Sequence, residues 1–423
     1  MNDNQSNYTN HYMISFQAAL DLISQHRKEL TEEEIDTNVS KGRILAEDIF
    51  SPVEIPPFNN SAMDGYAVNH NDLKGATKDC PIRLQLAGLT AAGDAPSSSS
   101  DCSGTAWKIM TGAAVPSGYD SIIPVENTEL SDDGITVKCF SQPKPNAHIR
   151  TSGEDFSKGS LVLQKQRIIN SNRIMALASL GVDKIKVKKL AKVVVFSTGK
   201  ELVDDLKQDL KPGQIYNSNM PYILEFLAEL PVDCYNAGTN YDDVAAYETA
   251  LKEQLNNNAD LIISTGAVSM GDFDFIPQTI IKMGGEIIFH KARIRPGKPI
   301  LFAKFPNGTF YFGLPGNPIS AAIGLRFFVT HILNQLMGLP SESPIKSKLL
   351  ESRNKKQGFT NILKANNQTN QSASLETTIL NGQESFKIHP LIDANGWAVL
   401  EESMSEVNQG NIIDFYPSNL IYD

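Results

Sequence analysis

Three segments of the same build constrain this chain most. AKVVVFSTG from Ala191, LIISTGAVSMG from Leu261 and TFYFGLPGNP from Thr309 each run from an apolar, β-branched or aromatic series into a glycine turn. Continuous apolar strands are what a parallel sheet needs when helices cover both of its faces. Helical patterns at 221–230 and 244–255 lie between them. Residues 191–338 therefore read as a three-layer α/β unit. Ligands of open α/β sheets bind outside the carboxyl ends of the strands, and here three such ends are glycine loops.

The flanking regions read differently. In 15–30, Phe16, Ala19, Leu20 and Ile23 fall on one helical face. Residues 73–137 are short strand-like runs split by Gly, Ser and Pro, with SSSSDCSG from Ser97 as a loop. Residues 167–180 read as a helix stopped by Gly181. Beyond Pro340, short strands return with polar loops such as NNQTNQSAS, which suggests a small β domain. At roughly 150 residues per domain, the 423-residue length suggests about three domains.

Composition narrows the function classes. Apolar residues at 41% and charged residues at 20% argue against wholesale disorder. A net charge of −10 argues against a non-specific nucleic-acid coat and leaves room for a local basic pocket. Cys80, Cys102, Cys139 and Cys234 are widely spaced, unlike a disulfide scaffold or a thiolate zinc knuckle. No signal-peptide plan opens the chain and no uninterrupted apolar run approaches about 18 residues. The expectation is a cytoplasmic protein with no membrane or nucleic-acid partner.

The glycine loops expose backbone N–H groups, and a following helix start adds positive dipole, a combination that favours phosphate. Candidate contacts there are Ser197, Gly199, Ser264, Gly266, Ser269, Gly271, Gly316 and Asn317, with Pro318 at a first helical position. Taken one at a time, these glycines could simply make turns. Glu201, Asp242, Asp272 and Asp274 cluster near the loops. Mg²⁺ at a phosphate needs one or two carboxylates because it keeps several waters. Helix capping is the plain alternative, strongest for Asp242. HKARIRPGKP places Lys291, Arg293, Arg295 and Lys298 within eight residues. On an alternating strand the first three share one face, as an anion site or as a charged edge guarding against aggregation. HExxH, HxH and GxSxG are absent, so a zinc hydrolase or a Ser-His-Asp enzyme has no support.

Eight segments in order carry a family resemblance: SAMDGYA, KIMTGAAVP, RTSGED, STGKEL, GQIYNSN, STGAVSMGDFD, RPGKP and GLPGNP. Together they resemble the MoeA molybdopterin molybdenumtransferases, which are similar to the E domain of gephyrin. The match runs from about Phe16 to Met337. The resemblance implies a multidomain α/β plus β fold with four parts: 8–57 with 149–190 (mixed helical and extended), 58–148 (β-rich), 191–338 (MoaB/MogA-like α/β) and 339–423 (β). It implies a homodimer with its cleft between the α/β domain of one subunit and the second domain of the other. It further implies that adenylylated molybdopterin and molybdate react with Mg²⁺ to give molybdenum cofactor and AMP, with transient contacts to other proteins of that biosynthesis.

By the same resemblance, Asp64, Thr111 and Asp155 are contributed across the dimer, and Glu201, Asp242 and Asp274 are acidic positions of the α/β domain. Asp242 and Asp274 are assigned to Mg²⁺, and Gly266, Ser269 and Gly271 to the phosphate. Arg295, Lys298, Pro299 and Ser320 belong to the molybdate side. Asp64, Thr111 and Asp155, taken singly, could be a turn former, a strand end and a local cap.

Some positions depart from the family. Ala267 stands where a second glycine is usual, and at positive φ an alanine costs about 1 kcal/mol. Lys200 stands where an acidic or amide residue is common and would add a cation near the phosphate. Near Phe359, where an arginine is frequent, this chain has Asn361, and His389 and Pro390 stand where serines are frequent. Those positions are thought to help hold molybdate. Other readings are a MogA-like adenylyltransferase, a catalytically silent scaffold and a tungstate-specific paralogue. The long flanks speak against the first, and the retained acidic and hydroxyl positions against the second.

Overall fold

The computed structural model describes residues 13–26, 28–97, 102–240, 243–267 and 275–420. Its centre is a six-stranded sheet. In spatial order the strands are Val232–Asn240, Ala191–Thr198, Leu261–Thr265, Phe310–Leu314, Leu301–Lys304 and Glu286–His290. The first four are parallel, and the last two form an antiparallel extension. Val193 and Val195 face one core with helices Asn219–Ala228 and Pro318–Gly324. Val194 and Phe196 face a second core with helices Val244–Asn256 and Ile276–Lys282. Burial of successive residues on opposite faces is why these strands are apolar without alternation.

The helix Phe16–Gln25 is capped by Ser15, whose hydroxyl accepts the Ala18 N–H at 3.1 Å. It buries Ala19 and Ile23 and stops before residue 30, because the chain becomes extended at His26 and carries Leu30 into the same core. The helix Ser171–Ser179 is capped by Asn170, and Gly181 follows at φ +69. A single-residue left-handed turn of this kind suits glycine.

Six strands within residues 65–139 form the second large sheet, ordered Ser121–Pro124, Gly65–Val68, Thr105–Ile109, Ile82–Thr90, Thr136–Cys139, Thr128–Leu130. Near the C-terminus, Thr360–Thr369, Leu375–Ile379, Ile345–Leu349, Ile412–Pro417 and Gly396–Leu400 close on themselves, the last pairing back to the first. Closure leaves this sheet no free edge. Arg326, 1% exposed, ties it to the α/β unit through the Pro417 carbonyl and a bidentate pair with Glu342 at 2.6 and 2.7 Å.

Pro318–Met337 is long and apolar enough to cross a membrane, with a mean hydropathy of 1.2. It is 89% buried within the protein and serves as the core helix between sheet and barrel. Burial on all sides explains an apolar run of this length.

Candidate functional site

The four parallel strands end at one edge of the sheet. From Ala191–Thr198 the chain crosses to a strand on one side, then returns to Leu261–Thr265 on the other. That reversal opens a crevice at the carboxyl ends. Three glycine turns meet there. Gly266 has φ +89, and a Cβ on it would lie 2.4 Å from the Thr198 carbonyl oxygen. A Cβ on Gly316 would lie 3.8 Å from the Gly266 Cα, so two turns run side by side. The Thr198 hydroxyl donates to the Thr265 carbonyl at 2.9 Å, and the Gly266 N–H to the Leu314 carbonyl at 3.0 Å. Glu201 folds its carboxylate back over Gly199, 2.7 Å from where a Cβ would stand.

Ser197 and Ser264 are fully buried. The Ser197 hydroxyl accepts from Asn217 Nδ2 at 3.0 Å and from the Thr265 hydroxyl at 3.3 Å. The Ser264 hydroxyl bonds the Tyr311 hydroxyl at 2.5 Å, which in turn meets the Tyr247 hydroxyl at 2.6 Å. Burial raises the Tyr247 phenol to about 12 and pushes Tyr311 well above its ordinary 10, so both stay neutral. These two serines brace the loops from behind.

Two asparagines of GQIYNSN complete the brace. Asn217 accepts the Met220 N–H at 3.2 Å and donates to Asp204 at 2.8 Å. Asn219 donates to the Gly316 carbonyl at 2.8 Å. Asn317 precedes the helix Pro318–Gly324, which carries Pro318 at its start.

Within the basic segment only Ile294–Arg295 is a strand, and the rest is irregular. The segment joins the antiparallel strands Glu286–His290 and Leu301–Lys304, and Lys291 takes φ +104. Ala292 and Ile294 are buried, while Lys291 and Arg293 are half-buried and Arg295 is exposed. Arg293 Nε pairs with Glu402 at 2.6 Å. The short strand Ile294–Arg295 runs parallel to Thr360–Asn361, with Arg295 opposite Asn361. The following turn packs on the core helix, where a Cβ on Gly297 would lie 3.5 Å from the Ser320 carbonyl oxygen. Arg295 and Lys298 are exposed, Pro299 is half-buried and Ser320 is buried.

Relatives agree with this architecture along nearly the whole chain. The molybdopterin molybdenumtransferase of Haemophilus influenzae is 34% identical over 406 residues, covering 95% of this chain and 98% of that protein. The chain belongs to the MoeA family. The enzyme of the same name from Synechococcus elongatus is 31% identical over 408 residues, covering 95% and 99%. Residues 14–181 match the family described as "MoeA N-terminal region (domain I and II)", and 194–335 match "Probable molybdopterin binding domain". The molybdopterin biosynthesis MoeA protein of Pyrococcus horikoshii superposes with a TM-score of 0.79 at 25% identity, covering 96% of this chain and 100% of that one.

The remaining candidates of this MoeA chain lie on the second sheet and outside the described residues. Asp64 Oδ1 accepts both the Thr111 N–H and the Thr111 hydroxyl at 2.7 Å. Those bonds, the backbone one foremost, hold the carboxyl below its usual 3.8. Asp155 is exposed, with its N–H on the Ile55 carbonyl. The segments around these three are knitted together through Ser61 to Gly112 and Asn60–Ser61 to Ile149–Arg150. Within one subunit, among the described residues, none of the three is hydrogen-bonded to the crevice loops. Asp242, Ser269, Gly271 and Asp274 lie outside the described residues. Ala267 takes φ +49, the left-handed conformation that its missing glycine suggests.

Proposed function

We propose that this enzyme transfers molybdenum from molybdate to adenylylated molybdopterin, releasing AMP. The observation that carries the reading is the convergence of glycine turns at the sheet's switch point, Gly266 beside Gly316 over Thr198. Closely spaced backbone N–H groups ahead of a helix suit a pyrophosphate. The names of the full-length relatives support the same chemistry.

Mg²⁺ fits the crevice because its donors are hard oxygens, with Glu201 already turned over the Gly199 turn. Asp242 and Asp274 are the carboxylates we assign to hold it. When bound, it would offset negative charge on the leaving adenylate. The chain's own residues orient the substrate: Gly266 and Gly316 by backbone contact, Asn219 by holding the Gly316 carbonyl, and Arg295 and Lys298 by attracting molybdate. Asp64, Thr111 and Asp155 act from a second subunit of a cytoplasmic homodimer, and the working division is the four-domain one.

The test is AMP release from adenylylated molybdopterin with Mg²⁺, with and without molybdate, for wild type and Asp274→Ala. Molybdate-dependent release that the variant loses is expected. No release from a folded dimer would overturn the enzymatic reading and leave a binding or scaffolding role.

A further inference from the structure

One lysine of the barrel is wholly buried. Lys364, on the strand Thr360–Thr369, is 0% exposed. Its sequence neighbours divide between two cores. Leu363 and Ala365 pack in the barrel, and Ile362 packs in the core that holds Ile319 and Ile323 of the long helix. Alternation puts Lys364 on the Ile362 side, where its register partner Trp397 also lies.

The partners of this ammonium are carbonyls: Gly382 at 2.7 Å, Lys387 at 2.9 Å and Glu384 at 3.5 Å. The Glu384 carboxylate is taken by Lys387 at 2.9 Å. Burial pulls the Lys364 ammonium below its ordinary 10.5. A buried charge is costly unless it is hydrogen-bonded, and an apolar side chain would fill the same space without that cost. What the lysine supplies is donors for the irregular loop 382–387, whose carbonyls must find partners once buried. Gln383 secures the same loop. Its Oε1 accepts the Lys364 N–H at 3.0 Å, and its Nε2 donates to the carbonyls of Lys364 at 2.9 Å and Leu380 at 2.7 Å.

One carbonyl of that loop goes elsewhere. Ser385 accepts the Ile319 N–H at 3.0 Å. Ile319 is the second residue of the helix Pro318–Gly324, which has no cap of its own: Asn317 makes no side-chain cap bond, and Pro318 has no N–H. The barrel therefore supplies the missing cap. The Gly316–Asn317 turn is held from two sides, by Ser385 through Ile319 and by Asn219, whose Nδ2 donates to the Gly316 carbonyl at 2.8 Å. The same turn runs beside Gly266 in the crevice.

We infer that Lys364 is a positioning residue for the crevice: by holding the 382–387 loop it keeps the Ser385 carbonyl on the Ile319 N–H and so fixes the Gly316–Asn317 turn beside Gly266. That this turn meets the pterin substrate rests on the proposed function. A turn set in place before the ligand arrives lowers the ordering cost of binding. Its loosening therefore weakens binding and leaves the chemical step alone.

Exchange of the Ile319 amide in the full-length protein, followed by NMR, reads the cap. Lys364→Met fills the space and removes the donors. It should speed Ile319 exchange about tenfold, the scale of a lost helix cap, and leave Leu261–Thr265 unchanged. Gln383→Met loosens the same loop and should act in the same direction, which keeps the test open if Lys364→Met does not fold. Lys364→Arg keeps the charge and the donors and should return exchange toward wild type. Adenylylated molybdopterin reads the turn. Its calorimetric Kd, and its half-saturating concentration for AMP release, should rise about threefold or more in Lys364→Met, with the maximal rate per folded protein unchanged. Unchanged Ile319 exchange in both folded variants overturns the inference. So does faster exchange with Kd and half-saturation unmoved, because a purely structural lysine lowers only the folded fraction. Wild type that binds adenylylated molybdopterin and releases no AMP sinks the proposed function alone, and exchange and Kd still decide the role of Lys364.

Discussion

Replacing Gly266 with alanine tests how the crevice is built. The new Cβ would stand 2.4 Å from the Thr198 carbonyl oxygen and 2.7 Å from its hydroxyl, at φ +89. Positive φ costs an L residue roughly 1–2 kcal/mol. Forcing a methyl against backbone that cannot yield typically adds about 1–3 kcal/mol. The two together come to about 3 kcal/mol, and they fall on strands whose hydroxyl cross-tie, Thr198 to Thr265, must shift first. At about 1.4 kcal/mol per decade, local opening at these strand ends should become roughly a hundredfold more frequent. Hydrogen exchange followed by mass spectrometry on peptides from Ala191–Thr198 and Leu261–Thr265 reads this directly. The neighbour supplies a control of opposite sign. Ala267 sits at φ +49, so Ala267→Gly relieves roughly 1 kcal/mol of strain while adding about 0.5 kcal/mol of chain entropy. Exchange there should slow or stay level. Exchange within threefold of wild type for Gly266→Ala, or faster exchange for Ala267→Gly, would refute the close-approach argument.

Other consequences are equally testable. Tyr311→Phe removes the hydroxyl between Ser264 and Tyr247; thermal unfolding should show a loss of about 1–2 kcal/mol from the unmatched buried groups. Glu342→Ala strips the buried Arg326 of its bidentate partner and should cost about 3–5 kcal/mol, while Arg326→Met combined with Glu342→Leu should cost much less. The clamp of Asp64 on Thr111 has a depressed carboxyl pKa, so it is fully present above the ordinary value of 3.8 and is lost as pH falls through the lower folded value. A local NMR titration of the Thr111 amide should therefore be flat from neutrality to pH 5 and move below pH 4, and Asp64→Asn should abolish that movement.

The central sheet was legible because a strand covered on both faces must be apolar at every position. Val193 to Phe196 shows this, facing the two cores in turn. The stop at Gly181 and the helix start at Pro318 were legible for a similar reason, since each satisfies a local backbone demand. At Ala267 the family resemblance raised only the question of a positive φ, and the structure answers it with φ +49. The basic segment was legible in part: Ala292 and Ile294 turn inward and the cations between them do not, yet only Ile294–Arg295 forms a strand.

Local pattern also could not say which hydroxyls face the crevice. Ser197 and Ser264 stand in the right segments, yet parallel pairing turns their side chains inward to Asn217 and Tyr311. Nor could it place Arg353, which lines one cavity with Arg295. Its sequence neighbours are ordinary, and its position beside Arg295 exists only because the closed barrel brings the start of Thr360–Thr369 against Ile294–Arg295. Periodicity and turn chemistry are written into short stretches of chain, since they answer to backbone geometry within a few residues. Which charge meets which across 58 residues, from Arg295 to Arg353, depends on strand register and barrel closure, and those are settled by the packing of the whole chain.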